Sequence, residues 1–177
     1  MSKQTHAVKI RPLEKEDLAT IVSWNIDPEI ESFVDLGLPG DLPGCVAWWE
    51  EIRRSKRDRL FALEDETGRL IGDLELANIC WQGREAELRI RIGEKAYWNK
   101  GYGTLAVHQI VGYAFDELSL NRLYLRVYTF NIRAIKCYQK IGFKMQAVLK
   151  REKDQNWKDI YLMALEKETP LAGRGLT

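Results

Sequence analysis

Between Tyr97 and Ala106 the sequence runs Tyr97-Trp98-Asn99-Lys100-Gly101-Tyr102-Gly103-Thr104-Leu105-Ala106. Two glycines one residue apart permit a tight turn and let bare N–H groups come close to a ligand. Thr104 then opens an apolar-periodic run in which Val107, Ile110, Val111, Ala114 and Leu118 share one helical face. A helix start carries unpaired N–H groups and the positive end of the peptide dipole, so a glycine turn leading into one can hold a phosphate. The same residues would equally make a plain turn before a core helix, and spacing alone does not separate the two readings.

Two better-known phosphate loops are excluded by context. Gly101-Tyr102-Gly103-Thr104-Leu105-Ala106 satisfies G-x-G-x-x-A, but the dinucleotide fold needs a strand entering the first glycine and an acid about 20 residues later. Here Gly93-Glu94-Lys95-Ala96-Tyr97-Trp98 intervenes, and the next strand, Arg122 to Tyr128, carries no acid. No G-x-x-x-x-G-K-[ST] string exists. A phosphate cradle of another kind remains.

The elements around this loop follow from pattern and composition. With 177 residues, the chain suits a single domain with one sizeable core, spanning about 7–166, and a tail from 167 expected to fray. The net charge of +1, with both signs interspersed, gives no case for nucleic acid or a membrane surface as partner. Met1 to His6 is followed by no apolar segment, so no signal peptide is expected, and no run approaches the ~18 residues of a membrane span. Cys45, Cys80 and Cys137 lack any C-x-x-C pairing, which suits a reducing, cytoplasmic setting. With only His6 and His108 available, no metal site is expected; His108 reads as helix surface or a satisfied core histidine.

Val8 to Arg11 alternates and stops at Pro12, a first strand. Glu16-Asp17 opens a helix through Leu18, Ile21, Val22 and Trp24, broken near Asp27-Pro28. Leu36 to Gly44 is full of turn residues and reads as a loop, followed by an amphipathic helix carrying Trp48, Trp49 and Ile52. Leu60–Glu64, the turn Asp65–Gly68 and Leu70–Leu76, running on toward Trp81, form a hairpin; Glu87 to Gly93 alternates as the next strand. After the glycine loop and its helix to about Leu118 comes the strand Arg122–Tyr128. Asn131 is the expected N-cap of a short helix closed by Gly142, and two strands follow, Phe143 to about Lys150 and Trp157 to Leu165. The order β, α, α, β, β, β, α, β, α, β, β gives an α+β fold, a mixed sheet with helices on both faces.

These residues resemble the GNAT superfamily of N-acetyltransferases, nearest its ribosomal-protein-type and polyamine-type branches. The resemblance runs from Val8-Lys9-Ile10-Arg11-Pro12-Leu13 through Leu165. The family's acetyl-CoA loop, Q/R-x-x-G-x-G/A, is matched by Trp98 to Gly103. Its second signature, N-x-x-A-x-x-x-Y-x-x-x-G-F, is matched at every fixed position by Asn131, Ala134, Tyr138, Gly142 and Phe143. Trp98 stands where Gln or Arg is usual, and Asn99 where this branch commonly has a further glycine. Both departures are side chains beside a site built mostly from main-chain N–H groups.

The resemblance implies a mostly antiparallel, twisted sheet with a splayed central strand pair, and an acetyl-CoA-dependent N-acetyltransferase working by direct attack of an amine in a ternary complex. It assigns the cofactor to Tyr97, Trp98, Asn99, Lys100, Gly101, Tyr102, Gly103 and Thr104, with Asn131, Ile132 and Arg133 nearby. It also assigns the pantetheine arm to Arg89, Ile90, Arg91 and Ile92, a strand splayed from the one starting near Arg122, with a main-chain N–H facing the thioester oxygen. Tyr138 becomes the general acid for the departing sulfur, although spacing alone would make it a core aromatic. Glu75 and Glu87 are the candidate bases, with a water relay as the alternative. Asp73 and Glu75 share a strand face and suggest an acidic pocket, and Glu29, Glu31 and Asp35 add an acidic segment that would suit a polyamine such as spermidine. A protein N-terminus, an aminosugar or an antibiotic are alternative acceptors, and a non-catalytic acyl-CoA-binding module is a rival reading. Trp48, Trp49 and Trp81 would be available to cover a partner copy in a homo-oligomer.

Overall fold

In a computed structural model, the structure describes residues 6–34, 37–150 and 159–168. The chain runs β1 (Lys9–Pro12), α1 (Leu18–Asn25), α2 (Pro28–Glu31), α3 (Leu42–Arg54), β2 (Arg59–Glu64), β3 (Leu70–Cys80) and β4 (Glu85–Ile92). It continues α4 (Tyr102–Gly112), β5 (Arg122–Tyr128), α5 (Ile132–Ile141), β6 (Lys144–Leu149) and β7 (Ile160–Glu166). Among the described residues no helix is long and apolar enough to cross a membrane.

The strands form one sheet in the order β1-β2-β3-β4-β5-β7-β6. Every neighbouring pair is antiparallel except β4 and β5. That parallel pair holds together only at Glu85–Arg122, Ala86–Leu123 and Glu87–Tyr124. Beyond Glu87 the two strands part, leaving main-chain groups of both without a sheet partner. This is the splayed central pair, and it opens the cleft described below.

Strand alternation builds two cores on opposite faces. Phe61, Leu63, Leu74, Leu76 and Leu88 pack with Val107 and Ile110 of α4 and Ile135 of α5. On the other face Ala62 packs with Leu18, Ile21 and Trp24 of α1 and with Cys45 and Trp49 of α3. Helices therefore cover both faces. The edge strand β6 is exposed at all six positions, including Met145, Val148 and Leu149.

Several expectations need adjusting. The loop from Leu36 ends earlier than expected, because Leu42-Pro43-Gly44 is the first turn of α3. Asp41 caps it by accepting from the Gly44 N–H at 2.9 Å, and proline is tolerated in a first helical turn. The glycine-loop helix begins at Tyr102 rather than Thr104, and past Gly112 it widens into a π-helical turn, Tyr113–Glu117. His108 is exposed on α4. Strand β7 starts at Ile160, and Trp157 lies outside the described residues.

Candidate active site

The gap between β4 and β5 widens into a cleft of about 380 Å³. Its walls are the end of β4, the loop from Tyr97 to Thr104, the inner side of α5, and Ile30 of α2 with Phe33 and Val34 just after it. Gly101 caps α4 at φ 88°, a left-handed conformation that favours glycine, and Asn99 also sits at positive φ, 61°. The first helical bond is made by the Leu105 N–H to the Gly101 carbonyl at 3.1 Å. The N–H groups of Tyr102, Gly103 and Thr104 therefore have no helical partner and lie at the positive end of the helix. Gly103 lines the cleft, and a Cβ added there would meet only the Ile92 side chain, at 3.9 Å. A group that must approach the backbone closely has room at this point.

The loop is pinned from behind by two phenols. The Tyr97 hydroxyl donates to Asp65 at 2.7 Å, and the Tyr102 hydroxyl bonds Glu66 at 3.1 Å and the His6 ring at 2.9 Å. The Tyr97 hydroxyl and neighbouring donors hold the Asp65 carboxyl well below the usual range, while burial beside Glu66 pushes the Tyr102 phenol up to about 12. The Tyr102 side chain thus faces away from the cleft and only its main chain is available to a ligand. Lys100 is exposed and Ile132 points outward; neither lines the cleft.

Trp98 takes an unexpected role, because its indole N–H donates to the Ile92 carbonyl at 2.7 Å. One of the freed strand carbonyls is thereby already occupied. Arg133 lies over the same indole, 4.0 Å from the ring centre, and makes no ion pair among the described residues. Burial lowers its pKa, opposed by the charge of Glu29. Lys136 and Lys140 also line the cleft. Lys136 lies three residues after Arg133 and Lys140 a further four, spacings that put all three on one helix face.

Tyr138 is buried on α5 and lines the cleft, and its hydroxyl bonds no described residue. Burial pushes its phenol well above the ordinary 10, so it stays protonated through neutral pH. Asn131 caps α5 by accepting from the Ala134 N–H at 3.2 Å, so its side-chain oxygen is already engaged.

The opposite wall corrects the expected acidic pocket. The β3–β4 register sets Asp73 opposite Arg91, Glu75 opposite Arg89 and Ala77 opposite Glu87. Arg91 donates to Asp73 at 2.7 Å and to Asn25 at 2.7 Å; Arg89 donates to Glu75 at 3.1 Å and to Glu87 at 2.8 Å. Glu87 also accepts from Arg126 at 2.8 Å and Asn78 at 3.1 Å. The result is a buried charge ladder, and the Arg89 and Arg91 side chains belong to it rather than to the cofactor loop. The two glutamates separate electrostatically. Burial raises Glu75, and one arginine only partly offsets it; burial also opposes ionisation of Glu87, but bonds from Arg89 and Arg126 win and lower it. Glu87 lines the cleft with both oxygens engaged, whereas Asp73 and Glu75 do not line it and connect to it through their arginines.

The acidic segment is also partly neutralised. Lys95 pairs with Glu29 at 2.7 Å and with Asp27 at 2.9 Å, Glu31 is exposed, and Asp35 lies outside the described residues. Trp49 is buried, donating to the Leu13 carbonyl at 3.1 Å, and Trp48 packs on the same core. Only Trp81 of the three tryptophans is an exposed ring, 44% accessible.

Comparison with known proteins identifies the family and the fold. The profile of the acetyltransferase (GNAT) domain matches residues 8–144. Spermidine N(1)-acetyltransferase of Escherichia coli K12 is 33% identical over 156 residues, covering 83% of this chain and 78% of that protein. The enzyme of the same name from Vibrio cholerae is 28% identical over 157 residues, covering 81% and 82%. A crystal structure of Vibrio cholerae spermidine N-acetyltransferase in complex with CoA and spermine superposes with a TM-score of 0.84 at 26% identity, covering 90% of this chain and 95% of that one.

Proposed function

The chain belongs to the acetyltransferase (GNAT) domain family and is an acetyl-CoA-dependent N-acetyltransferase; from that premise we propose that its acceptor is a polyamine of the spermidine type, attacking directly in a ternary complex. The observation that carries the acceptor class is the 33% identity to a spermidine N(1)-acetyltransferase across 83% of the chain.

The residues fit the cofactor. The N–H groups of Tyr102, Gly103 and Thr104 would hold the diphosphate, with Arg133, Lys136 and Lys140 as the nearby cations. The main-chain groups of Leu88 to Arg91 that face away from β3 would hold the pantetheine arm, and the Ile92 carbonyl would not contribute while Trp98 occupies it. When bound, acetyl-CoA supplies an acetyl thioester that an amine can open, with the sulfur as leaving group. A main-chain N–H of β4 facing the thioester oxygen is an oxyanion-type donor, a class worth roughly 2.7–4 kcal/mol where one has been removed.

Two proton movements remain. The Tyr138 Oη, unpartnered in the cleft, gives its proton to the sulfur. The acceptor must arrive neutral; for an alkylammonium of pKa near 10.4 that costs roughly 4.6 kcal/mol at pH 7. Glu75 is the better of the two candidate bases, since its raised pKa favours taking a proton, whereas Glu87 is committed to three donors. Glu75 lies behind Arg89, so its proton travels through that pair or through water.

A panel of amines assayed by CoA release tests the acceptor. Saturable turnover with spermidine supports the reading. Turnover only with peptides or only with aminosugars rejects it, and calorimetric CoA binding without transfer to any amine would make the chain a binding module.

A further inference from the structure

Phe33 and Trp98 stand on facing walls of the cleft, the first just beyond α2 and the second in the glycine loop. Their rings meet edge to face with centres 5.9 Å apart. Arg133 reaches from α5 into this contact, 4.0 Å from the centre of Trp98 and 5.3 Å from that of Phe33. No described carboxylate pairs with it. The acid whose charge acts on it is Glu29 of α2, part of the acidic segment that the polyamine reading assigns to the acceptor, and it is itself bonded to Lys95. One guanidinium therefore touches both the glycine loop, through Trp98, and the segment just beyond α2, through Phe33.

We propose that Arg133 makes affinity for a cationic acceptor depend on the cofactor. In the free protein its guanidinium bridges Phe33 and Trp98 and offsets the negative charge of α2. When a diphosphate binds, Arg133 turns to it, which releases Phe33 and leaves the acidic α2 segment more negative. The exchange is favourable because a guanidinium bonds phosphate oxygens in bidentate, charge-assisted fashion, a stronger contact than its seat on an aromatic face. Trp98 fits this role. At a position where the family usually carries Gln or Arg, the indole caps the Ile92 carbonyl and offers a flat seat on which the α5 cation rests. Acceptor and cofactor are then linked reciprocally, each tightening the other by the same factor.

The inference rests on the acetyl-CoA and polyamine reading and is tested apart from turnover. Spermidine is titrated calorimetrically into the free protein and into protein saturated with CoA, which cannot react. The expected result is binding about fivefold or more tighter with CoA present. In Arg133→Ala that ratio falls by about threefold or more, chiefly because spermidine binds the free protein better. Phe33→Leu lowers the ratio while CoA affinity changes by less than about twofold. A second measurement, CoA titrated with and without spermidine into the unsubstituted protein, must return the same factor and does not depend on any variant folding. A ratio of one in the unsubstituted protein, or one unchanged in a folded Arg133→Ala, overturns the proposal. If spermidine is acetylated but shows no such ratio, the coupling fails and the acceptor reading stands; if spermidine neither binds nor is acetylated, both fail.

Discussion

Gly103→Ala separates the two jobs a glycine can have in this loop. Gly103 is the second residue of α4, with ordinary helical backbone, and an added Cβ meets nothing nearer than the Ile92 side chain at 3.9 Å. The fold has no steric objection, and alanine is favoured over glycine in helices by roughly 0.5–1 kcal/mol. For a chain of this size that corresponds to a melting temperature higher by about 1–4 °C. The same methyl stands in the cleft beside N–H groups that have no helical partner. A diphosphate held by those groups would be pushed off at least one charge-assisted bond, worth about 1.5–3 kcal/mol. At about 1.4 kcal/mol per tenfold, CoA should bind about 10- to 100-fold more weakly.

Thermal unfolding without ligand and calorimetry with CoA measure the two effects on one sample. The expected signature is a protein that melts slightly higher and binds CoA much more weakly. A folded Gly103→Ala that binds CoA like the unsubstituted chain would remove the main-chain cradle from the account. Gly101→Ala is a poorer probe, because at φ 88° alanine strains the backbone whether or not a ligand binds there.

Two further outcomes test the chemistry. Tyr138→Phe should leave CoA affinity unchanged within error while turnover falls at least about tenfold; unchanged turnover would mean another group protonates the sulfur. If Glu75 takes the amine proton, it must be ionised to act, and its pKa is raised by burial, so kcat/KM should fall as pH drops through a value above the ordinary 4.5 of a glutamate. Glu75→Gln should abolish that acid limb along with most of the rate, whereas a limb that persists in a slowed variant assigns the proton to a different base.

Local chemistry made much of the scaffold around the candidate site legible. The glycine loop, the Asn131 cap, the Gly142 helix end and the limits of β5, Arg122 to Tyr128, all follow from rules acting over a few residues. The start of α3 was lost because Pro43 and Gly44 suit both a loop and a first helical turn, and only the bond from Gly44 to Asp41 decides between them. Tyr102 lies inside the recognised loop, yet its side chain belongs to a network with Glu66 and His6 that local spacing does not reveal. The seating of Arg133 on Trp98 and Phe33 joins three segments distant in sequence, and no periodicity reports it.

The charge ladder was misread for a related reason. Alternation correctly put Asp73 and Glu75 on one face of β3, but the meaning of that face depends on what β4 sets opposite, and cross-strand register is tertiary information. Counting acids along one strand suggested an anionic pocket, whereas counting pairs gives Asp73, Glu75 and Glu87 against Arg89, Arg91 and Arg126. Such a wall binds a cation poorly through net charge, but it can set two neighbouring carboxyls to different proton affinities. Glu87 gains enough from Arg89 and Arg126 to overcome its burial; Glu75, with Arg89 alone, does not. Separation of this kind between neighbouring acids is how a single fold assigns fixed charge to one group and proton transfer to the other. On the polyamine reading proposed above, selectivity for a cationic acceptor would come largely from the α2 side, where Glu29 and Glu31 lie.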